Sequence, residues 1–227
     1  MITTVVFDLD DTLYDELDYC QSGFKAVARS LSNLVDVLST EDIFDSLWWQ
    51  FTAGNHAKTF NSALDDLGIS YDDGLIEKLI ETYRNHSPEI SLPADSGKVL
   101  RQLSKKYTLA LLTDGFMPAQ QLKVQALEIE KYFKCIVYTE QLGRKYWKPS
   151  PVGFEKLMQT LNVKPQAIAY VADNEEKDFI APNKLGFLTI QIIRPACIHT
   201  LTSDAPNASA QHVIRKITQL PALLEKL

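Results

Sequence analysis

The 227-residue sequence predicts an α/β protein, a doubly wound parallel sheet with an α-helical domain inserted after its first strand. Three observations carry this expectation. Short apolar runs recur from Thr108 onward, separated by stretches of helical spacing, as in strands joined by right-handed helical crossovers. A similar run, Thr3 to Phe7, stands alone at the start. Between them, from about Glu16 to His86, apolar residues step by three and four and no strand is evident. The core is therefore Rossmann-like and predicted to comprise residues 1–14 and 92–227, with a helical cap over 15–91.

Each element has its own signal. In the insertion, Phe24, Val27, Ala28, Leu31, Leu34 and Val35 mark a first helix. Ser39 with Asp42 resembles a capping start, followed by Ile43, Phe44, Leu47 and Trp48. A third helix is expected over His56 to Leu67, stopped by Gly68, and a fourth over Asp72 to Asn85. Ser87-Pro88 and Leu92-Pro93 read as a return linker. The core then alternates. Helices are expected over Ser96–Lys105, Pro118–Leu127, Pro151–Leu161 and Asp178–Leu185. Strands are expected over Thr108–Thr113, Cys135–Tyr138, Ile168–Ala172 and Leu188–Ile193, and a closing helix over Ile214–Leu227.

Composition narrows the function. A net charge of -6 argues against nucleic-acid binding, because phosphate backbones select basic surfaces. No run approaches the roughly 18 apolar residues of a membrane span, so no membrane partner is expected. The N-terminus opens directly on a strand, so no secretory signal is expected. Cys20, Cys135 and Cys197 are far apart and unpaired in spacing, which fits free thiols in a reducing cytoplasm. His56, His86, His199 and His212 show no metal-ligand spacing. Oligomeric state, monomer or homodimer, is left open.

Chemistry concentrates at strand ends. The run Val5-Val6-Phe7 breaks into Asp8-Leu9-Asp10-Asp11-Thr12, placing acids at the C-terminal edge, where open α/β sheets bind ligands. Two carboxylates so close repel, and are tolerable if a cation neutralises them or one keeps a proton. Three further clusters follow: Thr113-Asp114-Gly115 after a strand, Lys148-Pro149 before a helix, and Asp173 with Asp178 after Ile168–Ala172. Carboxylates, a hydroxyl with neighbouring backbone N–H groups, and a cation make a set suited to phosphoryl transfer.

With these four clusters in this order, the chain resembles the haloacid dehalogenase superfamily, in the subgroup with a helical cap between the first and second motifs. The resemblance spans essentially the whole chain. It implies that Asp8 is a nucleophile forming an aspartyl-phosphate, and that Asp10 is the acid and base. It implies that Thr12 steadies the turn, and that Thr113 and the N–H groups of Asp114 and Gly115 hold phosphoryl oxygens. Lys148 would neutralise nucleophile and phosphate. Mg²⁺ would be held by the Asp8 side chain, the Asp10 carbonyl and Asp173, with Asp178 in support. Asp10 argues against a dehalogenase or a phosphonatase, whose opening motifs usually lack it.

The implied activity is Mg²⁺-dependent hydrolysis of a small phosphorylated metabolite, a sugar phosphate or nucleoside monophosphate. The alternatives are a phosphomutase and a non-catalytic phospho-ligand-binding protein. The insertion, inserted beside the acidic strand end, is expected to close over the site and select small substrates.

Several residues have structural rivals to these roles. Thr12 and Thr113 could cap turns, Asp178 could be a helix N-cap, and Arg144 or Lys145 could compete with Lys148. Asp11 reads as a surface turn residue. Ala172 and Asp114 depart from the family's usual Gly and Asn; the acid adds charge near the phosphate unless its side chain turns away. Tyr14, Asp15 and Phe116 flank the motifs and are candidates to touch the leaving group. Trp48 and Trp49, about 100° apart on a helix, allow one to pack in the cap while the other faces the cleft, with core packing alone the favoured reading.

Overall fold

In the computed structural model, which describes residues 1–35, 38–195, 198 and 202–227, β1 (Thr4–Phe7) occupies the middle of a six-stranded parallel sheet. Its four residues are all buried, as a strand covered on both faces requires. β2 (Thr108–Thr113) pairs on one side and β4 (Ile168–Ala172) on the other, with Thr4 aligned to Thr108 and Ile168. β3 (Cys135–Tyr138) lies outside β2, and β5 (Leu188–Ile192) outside β4. The order β3-β2-β1-β4-β5-β6 reverses direction of growth at β1, so the C-terminal ends of β1, β2 and β4 meet at a topological switch point.

A sixth strand corrects the expected closing helix. Residues His212–Ile214 form β6, parallel to β5, and only Leu220–Leu224 form an α-helix. Three residues between Gln211 and Arg215, only Val213 and Ile214 of them apolar, are too few for periodicity to separate strand from helix. Two other helices start later than expected: residues Thr59–Asp66 and Ile180–Leu185 are helical, whereas His56 and Asp178 lie in the preceding turns.

Two compact units divide the chain: Met1–Leu17 with Ser91–Leu227, and Asp18–Ile90. In the first, helices α5 (Ala94–Leu103), α6 (Ala119–Ala126), α7 (Val152–Leu161) and α8 (Ile180–Leu185) link successive strands. One core cluster joins Val6, Leu112, Phe154, Tyr170, Phe179 and Phe187, whose rings meet edge-on. Phe154 is fully buried, a contribution of about 3 kcal/mol. Cys135 is only half-buried at the sheet edge.

The second unit is helical. It contains most of α1 (Glu16–Ser32), with α2 (Thr40–Thr52), α3 (Thr59–Asp66) and α4 (Asp73–Asn85). Ser39 and Asp42 form a reciprocal capping box at the start of α2. Phe24 on α1 is the hub, its ring meeting Trp48, Phe51, Phe60 and Tyr83. Trp49 points the other way and is 68% exposed. Gly23 lets α4 approach: a Cβ there would sit 2.5 Å from the Tyr83 ring. His86 is buried and shares a hydrogen bond with Ser22, while His56 is exposed and stacks on Phe51. His199 and Cys197 lie outside the described residues. No described helix is long and apolar enough to cross a membrane.

Candidate active site

β1 does not stop sharply. The Asp8 N–H still donates to Val171 O at 2.9 Å, so the ladder carries the carboxylate to the sheet's edge. The chain then turns at once, with Leu13 N–H bonded to Leu9 O. Asp11 takes the left-handed conformation the turn needs, φ 51°, which Asp tolerates better than most residues. It is not a surface residue: it is 1% exposed, and its carboxylate accepts the N–H groups of Glu16 and Ile198. Its side chain thus caps the start of α1, a second use for the acid that its position in a turn did not reveal.

Asp8, Asp178 and Lys148 form a buried ionic core. The Lys148 ammonium lies 2.8 Å from Asp8 and 2.6 Å from Asp178, and 3.4 Å from the Tyr170 hydroxyl. Both acids and the lysine are nearly sealed from solvent. Arg144 and Lys145 are exposed instead, with Arg144 over the rings of Phe116 and Trp147. Asp178 does not cap α8; its other oxygen accepts the Asn174 N–H and closes the 174–178 loop.

Asp173 completes a cluster in which carboxylate oxygens of Asp8, Asp173 and Asp178 lie within 4.8 Å of one another. Among the described residues its carboxylate receives one hydrogen bond, the Thr12 hydroxyl at 3.4 Å, and no ion pair. Burial and the Asp178 and Asp8 charges push its pKa up to about 9. A dense set of hard oxygen donors with more negative charge than Lys148 answers fits a divalent cation. Burial also raises Asp8, to about 6, although Lys148 opposes the shift. Lys148 is held well above the ordinary lysine range: burial works against its charge, and Asp178 and Asp8 prevail.

Asp10 is held differently. Its carboxylate accepts hydrogen bonds from Tyr14 at 2.5 Å, Gln120 at 2.8 Å and Lys123 at 2.8 Å. Burial pushes its pKa up, but Lys123 and these bonds outweigh it, leaving it below the usual carboxylate range. Lys123 also faces Glu16 at 3.6 Å. Burial and the Asp10 charge push Glu16 up to about 7. Asp10 is outside the three-carboxylate cluster.

Gln120 ties this arrangement to the second cluster. Its amide also donates to the Thr113 hydroxyl at 2.7 Å. Gly115 makes room for it: a Cβ there would lie 2.7 Å from Gln120, and its φ of 140° already disfavours other residues. The Asp114 carboxylate turns into the protein, accepting the Thr139 hydroxyl at 2.6 Å and the Lys148 N–H at 3.0 Å. It anchors the backbone that carries the lysine.

Asp8, Asp10, Asp173, Lys148, Phe116 and Trp147 are among the residues lining one cleft of about 380 Å³. Of the flanking candidates, Phe116 reaches the cleft. Tyr14 is buried against Asp10, and Asp15 is engaged by Arg194 at 2.6 Å. Gln120, Lys123 and Tyr170 were not anticipated. They sit on a helix and a strand among residues whose spacing reads as core, and a polar residue one or two turns along gives no sign of which cluster it meets.

The haloacid dehalogenase-like hydrolase pattern matches residues 5–192, most of the core and all of the insertion. The chain belongs to that family. Among curated relatives of this hydrolase, glyceraldehyde 3-phosphate phosphatase of Methanopyrus kandleri is 28% identical over 200 residues, covering 86% of this chain and 85% of its own. Human N-acylneuraminate-9-phosphatase is 23% identical over 241 residues, covering 100% of this chain and 95% of its own. A solved 2-haloacid dehalogenase from Pseudomonas syringae aligns over 100% of this chain and 99% of its own, with a TM-score of 0.67 at 22% identity. That last likeness is one of fold; chemistry has to be argued from the site.

Proposed function

We propose that this hydrolase is a Mg²⁺-dependent phosphomonoesterase acting on a small phosphorylated metabolite through an aspartyl-phosphate on Asp8. The observation that carries the reading is the buried cluster of Asp8, Asp173 and Asp178, with one lysine bound to two of its three carboxylates. The phosphatase relatives support a sugar phosphate as the substrate class. The 18–90 unit is assigned as the family's cap.

In this mechanism Asp8 attacks phosphorus, and Lys148 keeps its carboxylate ionised and oriented. Thr113, with the N–H groups of Asp114 and Gly115, holds phosphoryl oxygens as charge develops on them. Asp10, ionised at rest, takes a proton from the water that splits the acyl phosphate and gives that proton to the leaving oxygen in the next turnover. Lys123, Gln120 and Tyr14 position it for both steps. Asp8, Asp173 and the Asp10 carbonyl would hold the cation, with Asp178 in support. Bound there, Mg²⁺ supplies charge neutralisation between an anionic nucleophile and an anionic substrate.

The test is phosphate release from para-nitrophenyl phosphate and a panel of sugar phosphates and nucleoside monophosphates, with Mg²⁺ or EDTA, for wild type and Asp8→Asn. Release that requires Mg²⁺ and is lost in the variant is expected. A folded wild type that releases no phosphate from any of them overturns the reading.

A further inference from the structure

Three lysines lie near the carboxylates, and two are ion-paired with them. The Lys148 ammonium has three N–H groups and three partners: Asp8, Asp178 and the Tyr170 hydroxyl. Lys123 is 4% exposed and sits between Asp10 and Glu16. The third is Lys177. It is part-exposed, lines the same cleft as Asp8 and Lys148, and makes no ion pair or side-chain hydrogen bond among the described residues.

Its placement is fixed by the loop between Asp173 and Asp178. Asn174 O accepts the N–H groups of Lys177 and Asp178, and its side-chain oxygen accepts that of Glu176 at 2.9 Å. The Asn174 N–H is bonded in turn to Asp178 at 2.9 Å. The backbone that carries Lys177 is therefore pinned at both ends to groups that form the floor of the site.

We propose that Lys177 is a substrate-binding residue whose ammonium pairs with the phosphoryl group. A phosphate monoester entering this cleft, lined by Asp8, Asp10 and Asp173, meets in Lys177 a positive charge that is not paired with any of them. Lys177 supplies it as a compact, hydrated point charge on a flexible stem, suited to an oxyanion whose oxygens shift as the phosphoryl group moves to Asp8. The proposal rests on the phosphomonoesterase reading for its substrate, but its binding step can be measured without turnover.

The experiment is calorimetric titration of inorganic phosphate, with Mg²⁺ present, into wild type, Lys177→Met and Lys177→Arg. KM and kcat for para-nitrophenyl phosphate are measured in parallel. Lys177→Met is expected to weaken phosphate binding at least tenfold and to raise KM by a similar factor, with a smaller change in kcat. Lys177→Arg is expected to recover most of the binding. Circular dichroism checks that each variant is folded, and Lys177→Gln replaces the Met variant if that one is not. Phosphate bound as tightly by the folded Met or Gln variant as by wild type overturns the proposal, as does a wild type that binds no phosphate. Lysine-dependent phosphate binding in a protein without turnover would leave this assignment standing and remove the phosphomonoesterase reading.

Discussion

Asp10 and Asp8 stand two residues apart and hold opposite electrostatic positions. Asp8 is raised to about 6, and Asp10 is lowered by Lys123, Tyr14 and Gln120. Removing one partner of the buried Lys123–Asp10 pair strands the other charge. Lys123→Met is therefore expected to destabilise the protein by about 3 kcal/mol and to reduce phosphate release sharply, read by urea denaturation and by steady-state rates. Unchanged stability would mean that Asp10 finds another partner. Gly115→Ala tests the adjacent contact. With φ at 140° and Gln120 2.7 Å from the new methyl, it is expected to cost on the order of 2 kcal/mol and to lower kcat by moving Thr113 and Asp10 together. The acids were legible in the sequence because three of them break an apolar run. Lys123 and Gln120 were not, because a helix shows its periodicity but not which neighbour its polar residues will meet.

The elements were legible where patterns were long. Helix α4 and strands β2 and β4 match their expected bounds because a full apolar run or a complete stripe marked each one. β6 was missed because its evidence lies in pairing with β5, not in its own three residues. The chain is led to that edge by Asn183, whose amide donates to Asn207 O and Ser209 O and whose oxygen accepts the Thr189 hydroxyl. The start of α2 was legible because capping is local chemistry. Ser39→Ala breaks that box and is expected to lower stability by about 1 kcal/mol without altering phosphate release. A melting temperature unchanged in the variant would show that the exposed cap contributes nothing.

The molecule as a whole holds more buried carboxylate than its lysines neutralise, and its stability is expected to depend on pH and metal. Asp173 is raised from 3.8 to about 9, and Glu16 from 4.5 to about 7. Both groups bind protons more tightly in the folded state than in the unfolded one, so in EDTA stability falls as pH rises from about 4 to about 9. Thermal melting in EDTA at about pH 6 and about pH 8.5 checks this, with a lower midpoint expected at the higher pH and Mg²⁺ expected to reduce the difference. Equal midpoints without metal would refute the assignment of excess charge. The overall architecture was legible because alternation of strand and helix leaves few topologies. The order of its strands has a further consequence, for synthesis. β1 carries Asp8 and leaves the ribosome first, yet its neighbours β2 and β4 are made more than a hundred residues later. The strand bearing Asp8 must wait as an unpaired apolar segment while the helical unit, whose contacts are local, can already fold. Aggregation of nascent chains, and slow refolding limited by long-range pairing, are therefore expected to originate in the core and not in the insertion.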